Sequence, residues 1–300
     1  MYAIVGASGN TGKVVAGNLL AHGEKVRVIG RDAQRLQSLV QKGAEPVVAN
    51  ATDAAALTHA FQGAKAVYLL IPPNPSHPNV REYQEQVSDA LAAAVQKAGV
   101  KYAVVLSSIG AEKTEKTGPV VGLHNLEQKL NAIPALRALY LRAGYFMENL
   151  LPQAGIIQNL GITAGPLRKD LKVAMIATQD IGAAAAEALR KLDFTGKQTR
   201  ELLGHRDLTY LEVNSIIASA IGRPGLAYMQ MPPAQIKPAL IQMGMSASMV
   251  DLLLEMAEAL NSGYMAPLEP RSAHNTTPTT IETFVAQNFV PRFQTKSAGA

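Results

Sequence analysis

The chain has 300 residues, 48% of them hydrophobic and 17% charged, which excludes a disordered or fibrous protein and allows one large domain or two. It contains no Cys, which excludes disulfides and thiolate metal sites and makes a reducing cytoplasm the simplest location. The net charge is +5, but the Lys and Arg residues are scattered, so we do not expect a nucleic-acid-binding face. No apolar run reaches the roughly 20 residues that cross a bilayer, so no membrane segment is expected.

Apolar segments of strand length alternate with longer helical patterns over the first 150 residues. Continuous apolar strands that alternate with helices predict a parallel sheet covered on both faces. The expected fold is therefore an α/β, Rossmann-type doubly wound sheet with its ligand at the carboxyl ends of the strands. The five predicted strands read YAIVG, KVRVIG, AEPVVA, AVYLLI and YAVVLS.

After about residue 150 the alternation weakens. We predict a dinucleotide-binding Rossmann domain over 1–150, its core completed by 173–204, and a smaller, mostly helical substrate or partner region over 151–300. A last helix is predicted within 277–289 and an irregular end over 294–300. Four methionines of one stretch are expected to fill a core or a pocket, namely Met243, Met245, Met249 and Met256.

A glycine-rich turn, GASGNTGK, follows the first predicted strand and opens the first predicted helix. Glycines at this position let the main chain approach a diphosphate, while free N–H groups and the helix dipole favour its negative charge. The alternative is a strand-to-helix turn that binds nothing. The residues predicted to bind are the three glycines Gly6, Gly9 and Gly12 and the short polar residues Ser8, Asn10 and Thr11.

The second predicted strand ends in VRVIGRD, where a site that prefers NAD commonly carries an acid. Here Gly30 leaves room and Arg31 offers a guanidinium fork suited to a 2′-phosphate, with Arg35 one turn further on. Asp32 is interpreted as a helix cap. The pattern favours NADP(H) over NAD(H), unless Arg31 is simply a solvated residue at a helix start.

Two further strand ends face the same site. Asn50 is expected to bond to the edge of the adenine ring, whereas Asp53 is interpreted as a helix cap. After the fourth strand, Ile71 and Pro72 are expected to contact ribose or nicotinamide. His77, in the same loop, has no predicted partner.

Six segments together resemble the NmrA-like family of atypical short-chain dehydrogenases. The resemblance implies an NAD(P)H-dependent reductase of quinones, azo dyes or triphenylmethane dyes, or a regulator that binds the dinucleotide without turning it over. The segments are GASGNTGK, VRVIGRD, the D-x-x-x-L helix at Asp53, the run from Gly63 to Leu70, LSSIGAEK and LRAGYFMENLL.

The Y-x-x-x-K pair of ketone-reducing short-chain dehydrogenases is missing, because none of the nine tyrosines has Lys four residues later. His124 occupies the place where relatives have Tyr, Lys or His, and the next lysine, Lys129, lies at +5. One hypothesis is that His124 protonates or orients a conjugated acceptor after hydride transfer. The other is that His124 is structural and the chain is a non-catalytic NADP(H) sensor that acts through protein partners.

The remaining predicted site residues lie at the end of the fifth strand and within the LRAGYFMENLL turn. By resemblance, Ser107 and Ser108 lie beside the nicotinamide ribose, although two serines at a strand end also suit loop caps. Tyr145 and Phe146 are expected to form an aromatic wall for a small flat substrate, or else to pack under the second region. No metal-binding spacing occurs, so no metal is predicted. The sequence leaves open whether the protein binds a protein partner or forms a homodimer.

Overall fold

A computed structural model of the protein describes residues 1–297. Twelve strands form three sheets in this part of the chain. In chain order they are β1 (Tyr2–Val5), β2 (Val26–Gly30), β3 (Glu45–Val48), β4 (Ala66–Leu69), β5 (Tyr102–Ser108), β6 (Arg137–Ala143), β7 (Tyr145–Phe146), β8 (Thr163–Gly165), β9 (Val173–Ile176), β10 (Lys197–Leu202), β11 (Asp207–Leu208) and β12 (Tyr228–Gln230).

The main sheet has seven parallel strands in the order β10-β6-β5-β4-β1-β2-β3. The central strands β1 and β4 are fully buried, as their continuous apolar sequences require. The strand order reverses between β1 and β4, so the crevice for a ligand opens at their carboxyl ends. This topology confirms the predicted α/β, doubly wound Rossmann fold.

Helices cover both faces of the main sheet and make up most of the chain after residue 150. They are α1 (Asn10–Ala21), α2 (Ala33–Val40), α3 (Ala54–Phe61), α4 (Val80–Lys97), α5 (Val120–Asn131), α6 (Gln153–Leu160), α7 (Thr178–Lys191), α8 (Tyr210–Ala220), α9 (Pro233–Gln242), α10 (Ala247–Asn261), α11 (Ile281–Phe284) and α12 (Val290–Ser297), with a π-helical turn over Val285–Phe289.

Two predicted helix caps are confirmed. Asp32 accepts a hydrogen bond from the backbone N–H of Gln34 at 2.8 Å, and Asp53 accepts from Ala55 and Ala56 at 3.0 Å. Both carboxylates therefore serve the first turns of α2 and α3.

The second half of the chain contributes to both the main core and a separate core. Helix α7 packs against α1, and β10 is an edge strand of the main sheet. Strand β9, however, pairs with β7 and β11 in a separate three-stranded sheet. A second apolar cluster, which includes Met147, Ile157 and Phe284, lies around this small sheet.

The end of the chain differs from the prediction. The last helix begins at Ile281 and runs past residue 289 to Ser297, so the first four residues of the predicted irregular end are helical. The other three lie outside the described residues. Within residues 1–297, no helix is long and apolar enough to cross a membrane.

Candidate functional site

A cleft of 840 Å³ lies at the carboxyl ends of the main-sheet strands and beneath α10. The end near β1 and β2 is lined by the glycine-rich turn and the start of α2, and we call it the dinucleotide end. The other end lies beyond β5 and β6 and is lined by β7, α10 and the segment 263–267. We call it the acceptor end.

The glycine-rich turn fits a backbone that must lie close to a ligand. Gly6 has a φ of +65°, a conformation that side chains with a Cβ rarely adopt. A Cβ on Gly12 would meet the carbonyl oxygen of Gly6 at 2.4 Å, so this glycine lets α1 begin directly on the turn. Gly9 closes the turn, because its N–H donates to Gly6 at 2.9 Å. Gly12 itself does not line the cleft, so its role is close packing.

The first turn of α1 offers free backbone donors to the cleft. The N-cap residue Gly9 supplies no side-chain cap, and Lys13 N–H is the first to bond back, to Gly9 at 3.0 Å. The N–H groups of the residues between them precede that bond and lack intrahelical partners. Ser8, Asn10 and Thr11 line the cleft at the same place. A diphosphate fits this helix start on both geometry and charge.

Two arginines follow at the dinucleotide end. Arg31 and Arg35 both line the cleft and are exposed. Neither guanidinium forms an ion pair with the described residues, and the nearby Asp32 is engaged in capping α2. The dinucleotide end therefore carries two available cations, which suits an additional phosphate.

The other residues predicted for this end divide into two groups. Ile71 and Pro72 line the cleft. Asn50 does not: it is exposed, and its side-chain oxygen accepts from the N–H of Thr52 at 3.3 Å. Its neighbours Ala49 and Ala51 line the cleft instead, because the side chains alternate at the strand end.

Ser107 faces the acceptor end but is tied to a buried ion pair. Its hydroxyl donates to Glu127 of α5 at 2.6 Å, and Glu127 also accepts from Arg142 of β6 at 2.7 Å. Burial alone would lower the pKa of Arg142, but hydrogen bonding and charge from Glu127 raise it. Glu112 lies 3.5 Å from the same guanidinium. The sequence reasoning assigned no role to Glu127 or Arg142: Glu127 lies in no quoted motif, and Arg142 lies in LRAGYFMENLL, where only Tyr145 and Phe146 were predicted as site residues.

Helix α5 presents a different residue to the cleft than the one predicted. His124 does not line the cleft; its Nδ1 lies 2.8 Å from the carbonyl oxygen of Ala111, to which it donates. Leu123 does line the cleft. One residue is a rotation of about 100° on a helix, so a misjudged helical phase accounts for the difference. The structure therefore does not bring His124 to the predicted site.

The predicted aromatic wall lies at the acceptor end. Tyr145 and Phe146 form β7, line the cleft and are partly buried. The ring of Tyr145 meets that of Tyr210 edge-on at 6.4 Å, and Tyr210 packs on Tyr228 at 5.1 Å. Burial raises the pKa of Tyr145, and its interactions with Tyr210 and Asn149 partly offset that effect.

The cover of the acceptor end is apolar and rich in methionine. Of the four methionines predicted to fill a core or pocket, Met249 and Met256 line the cleft, and Met245 packs beside Met249. Met243 is 68% exposed, so that prediction is wrong for this residue. The prediction also missed Met265, which lines the cleft from the segment after α10.

Two buried or half-buried carboxylates hold this cover in place. Glu201 of β10 is buried and accepts from the backbone N–H groups of Leu268 and Glu269 at 2.9 and 3.0 Å. Glu255 of α10 accepts from the N–H of Gly118 at 3.0 Å. The segment 263–267 and α10 are thus fastened to the Rossmann core across the cleft. Within residues 1–297, no three His, Asp or Glu side chains are grouped as metal ligands.

The fold and the cleft define a Rossmann protein with a built site for a dinucleotide and an apolar chamber beside it. Comparison with known families places it more narrowly. The chain belongs to the NmrA-like family, whose model matches residues 2–285, and this confirms the resemblance seen in the sequence.

Three relatives illustrate the match. The NAD(P)H azoreductase of Xenophilus azovorans is 29% identical over 268 residues, or 89% of each chain. Quinone oxidoreductase 2 of Escherichia coli strain K12 is 28% identical over 88% of this chain and 89% of its own. A crystal structure of the NADPH-dependent quinone oxidoreductase of Escherichia coli with NADPH superimposes with a TM-score of 0.80 at 25% identity, covering 96% of this chain and all of the other.

Proposed function

We propose that this protein is an NADPH-dependent reductase that transfers a hydride to a flat, conjugated acceptor such as a quinone or an azo dye. One observation carries the proposal: a single cleft joins an uncapped helix start and two available arginines to an apolar, aromatic chamber. The names of the relatives, an azoreductase and quinone oxidoreductases, support the same reaction class.

The residues at the dinucleotide end would hold the cofactor, which supplies the hydride when bound. The free N–H groups at the start of α1 bind the diphosphate. Arg31 and Arg35 bind the 2′-phosphate that distinguishes NADPH from NADH, because their guanidinium groups are not engaged by carboxylates. The preference for NADPH rests on these two side chains.

The acceptor end would bind and shield the second substrate. Tyr145, Phe146 and the methionines of the cover give flat apolar contacts, which suit an extended ring system. The cover also excludes water from the reacting atoms. Ser107 donates its proton to Glu127 and can therefore only accept a hydrogen bond from a ligand.

The proposal is tested by following the oxidation of NADPH with a panel of quinones and azo dyes. We expect turnover with NADPH and weaker turnover with NADH. Boiled protein and NADPH without an acceptor serve as controls. Tight binding of NADPH without turnover of any acceptor would contradict the reductase and favour a non-catalytic NADP(H) sensor.

A further inference from the structure

The acceptor end of the cleft carries a single charged side chain among the residues that the structure describes. Four charged residues line the whole cleft, and three of them, Arg31, Asp32 and Arg35, belong to the dinucleotide end. The fourth is Lys172, and no described Asp, Glu or His lines the acceptor end. The chamber for the second substrate therefore combines apolar walls with one ammonium group.

The pairing of two short strands brings Lys172 to the acceptor end. The residue directly precedes β9, and β9 pairs in parallel with β7, where Tyr145 lies beside Met175. The two segments approach closely, since a Cβ on Gly144 would lie 2.4 Å from the carbonyl oxygen of Ala174. Lys172 lines the cleft and is exposed, so it lies at the rim of the chamber, next to the aromatic wall.

Lys172 forms no ion pair with the described residues, because the carboxylates around it are engaged elsewhere. Asp170 pairs with Arg168 at 2.7 Å. Glu212 accepts from the N–H of Thr209 at 2.7 Å and from its hydroxyl at 2.8 Å. These bonds are the main reason why the pKa of Glu212 is low, and the charge of Lys172 adds a smaller effect. The ammonium group is therefore available to a charge on a ligand.

Other polar groups of this part of the cleft do not offset the charge of Lys172. The carboxylates of the neighbouring elements lie outside the lining and are held by protein donors: Glu127 and Glu112 face Arg142, Glu148 accepts from Thr178, and Glu255 faces Arg81 and accepts from Gly118. Tyr83 and Gln84 line the cleft, and each has a buried oxygen without a partner in the described residues. Both are uncharged at neutral pH, since burial raises the pKa of Tyr83.

A bound dinucleotide would leave the charge of Lys172 in place. Its diphosphate is assigned to the start of α1, and its 2′-phosphate to Arg31 and Arg35. All of these groups belong to the other end of the cleft. Lys172 therefore remains for the acceptor.

We propose that Lys172 is a specificity-determining residue, and that the acceptor end prefers flat aromatic acceptors with a carboxylate or sulfonate to uncharged ones. The proposal rests on the reductase function proposed above. The anionic group would pair with the ammonium at the rim while the ring system enters the apolar chamber. Acceptors with a fixed positive charge would be disfavoured, because the described lining of this end holds no carboxylate to pair with them.

The test uses one azo dye and one naphthoquinone, each as its sulfonate, its uncharged sulfonamide and its quaternary ammonium derivative. In the wild type at low ionic strength, kcat/KM with NADPH should be highest for the sulfonate and lowest for the ammonium form. Lys172→Met should reduce the ratio of sulfonate to sulfonamide by about fivefold, as expected for an exposed ion pair. Lys172→Glu should reduce it by about 25-fold, because repulsion replaces attraction.

Two further variants serve as matched controls. Lys172→Arg keeps the positive charge and should retain the preference for the sulfonate. Lys169 is also exposed but does not line the cleft, so Lys169→Met should change the ratio by less than about twofold.

Two readouts separate binding of the anion from a structural effect. The loss in Lys172→Met should lie in KM for the sulfonate rather than in kcat, because the side chain meets the acceptor away from the reacting atoms. Added salt should raise this KM in the wild type and have little effect in Lys172→Met.

The contrary outcomes are distinct. An unchanged ratio in Lys172→Met, or an equal fall in Lys169→Met, would overturn the role of Lys172 while leaving the reductase intact. A wild-type preference for the ammonium form would overturn the proposed substrate class. A wild-type protein that oxidises NADPH with no form of either acceptor would overturn the reductase function, and the role of Lys172 with it.

Discussion

The two ends of the cleft are built in different ways. The groups proposed to bind the dinucleotide come mainly from residues 6–35, and several of them are backbone N–H groups at one helix start. The acceptor end collects side chains from β5, α5, β7, α7, α10 and the segment 263–267, which lie far apart in the chain. One end depends on local backbone geometry and the other on tertiary packing.

This difference predicts different sensitivities to mutation. Backbone donors cannot be removed by changing a side chain, so the dinucleotide end fails only when its turn is distorted or its arginines are replaced. The acceptor end contains flexible methionines and tolerates changes in shape. The buried Glu127–Arg142 pair lies beneath the acceptor end and couples α5 to β6. The following predictions test this comparison.

The largest effect is expected for Glu127→Ala. It leaves the half-buried guanidinium of Arg142 with only Glu112, at 3.5 Å, and frees Ser107. Removing one partner of a buried pair costs about 3–5 kcal/mol of the free energy of unfolding, which urea denaturation measures. As a control, Glu187→Ala removes an exposed pair with Lys191, which solvent screens, and should cost far less. Equal losses in the two variants would show that the Glu127–Arg142 pair contributes no more to the free energy of unfolding than an exposed pair does.

Gly12→Val should break the dinucleotide end. Its Cβ would overlap the carbonyl oxygen of Gly6, which lies at 2.4 Å from the ideal position. We expect a loss of about 3 kcal/mol in the free energy of unfolding and of most NADPH binding, measured by calorimetry.

Gly17→Ala is the matched control for that variant, because no atom lies within 4 Å of a Cβ at this position of α1. Alanine in place of a helical glycine should stabilise the protein by about 1 kcal/mol and leave NADPH binding unchanged. Normal NADPH binding by Gly12→Val would contradict the role assigned to the turn.

Arg31→Ala should reduce the preference of the dinucleotide end for NADPH. Losing a charge-assisted bond to the 2′-phosphate should weaken NADPH binding by about 2 kcal/mol, or roughly 30-fold, with little change for NADH. Titration with both nucleotides measures the two Kd values. Equal weakening of both would show that Arg31 does not meet the 2′-phosphate.

The smallest effect concerns the tyrosine cluster behind the acceptor end. Burial raises the pKa of Tyr145, Tyr210 and Tyr228, so the unfolded chain ionises these phenols first, above pH about 10. The unfolded chain then binds fewer protons, and the free energy of unfolding falls as the pH rises.

Tyr228→Phe tests that linkage. It removes the hydrogen bond that Tyr228 donates to Leu167 at 2.7 Å, which should cost about 1 kcal/mol at neutral pH. Thermal unfolding should nevertheless show a shallower alkaline loss than in the wild type. An unchanged pH dependence would mean that Tyr228 does not contribute to it.

The sequence predicted well where the signal is local. The parallel sheet, the turn at Gly6 and the caps at Asp32 and Asp53 all follow from neighbouring residues, because strands, turns and first helical turns are set by short-range geometry. The cofactor preference for NADPH stays a prediction, since it depends on a ligand contact.

The predicted and observed cleft linings differ where the helical phase or distant packing decides. His124 and Leu123 are adjacent, and only the placement of α5 on the sheet selects Leu123 for the cleft. At the end of β3, the side chain of Asn50 points away from the cleft, because successive side chains alternate in direction there. The hydrogen bonds that join Ser107, Glu127 and Arg142 connect three separate elements, and no spacing in the sequence predicts them.

By itself, the sequence determined the family, the Rossmann fold and the turn at the start of α1, because each depends on residues that are close together in the chain. The tertiary structure alone decided which residues face the cleft and which of its hydroxyl groups are engaged. Ser107 and Thr178 donate to Glu127 and Glu148, which belong to other elements, so these bonds form only once the elements have packed together.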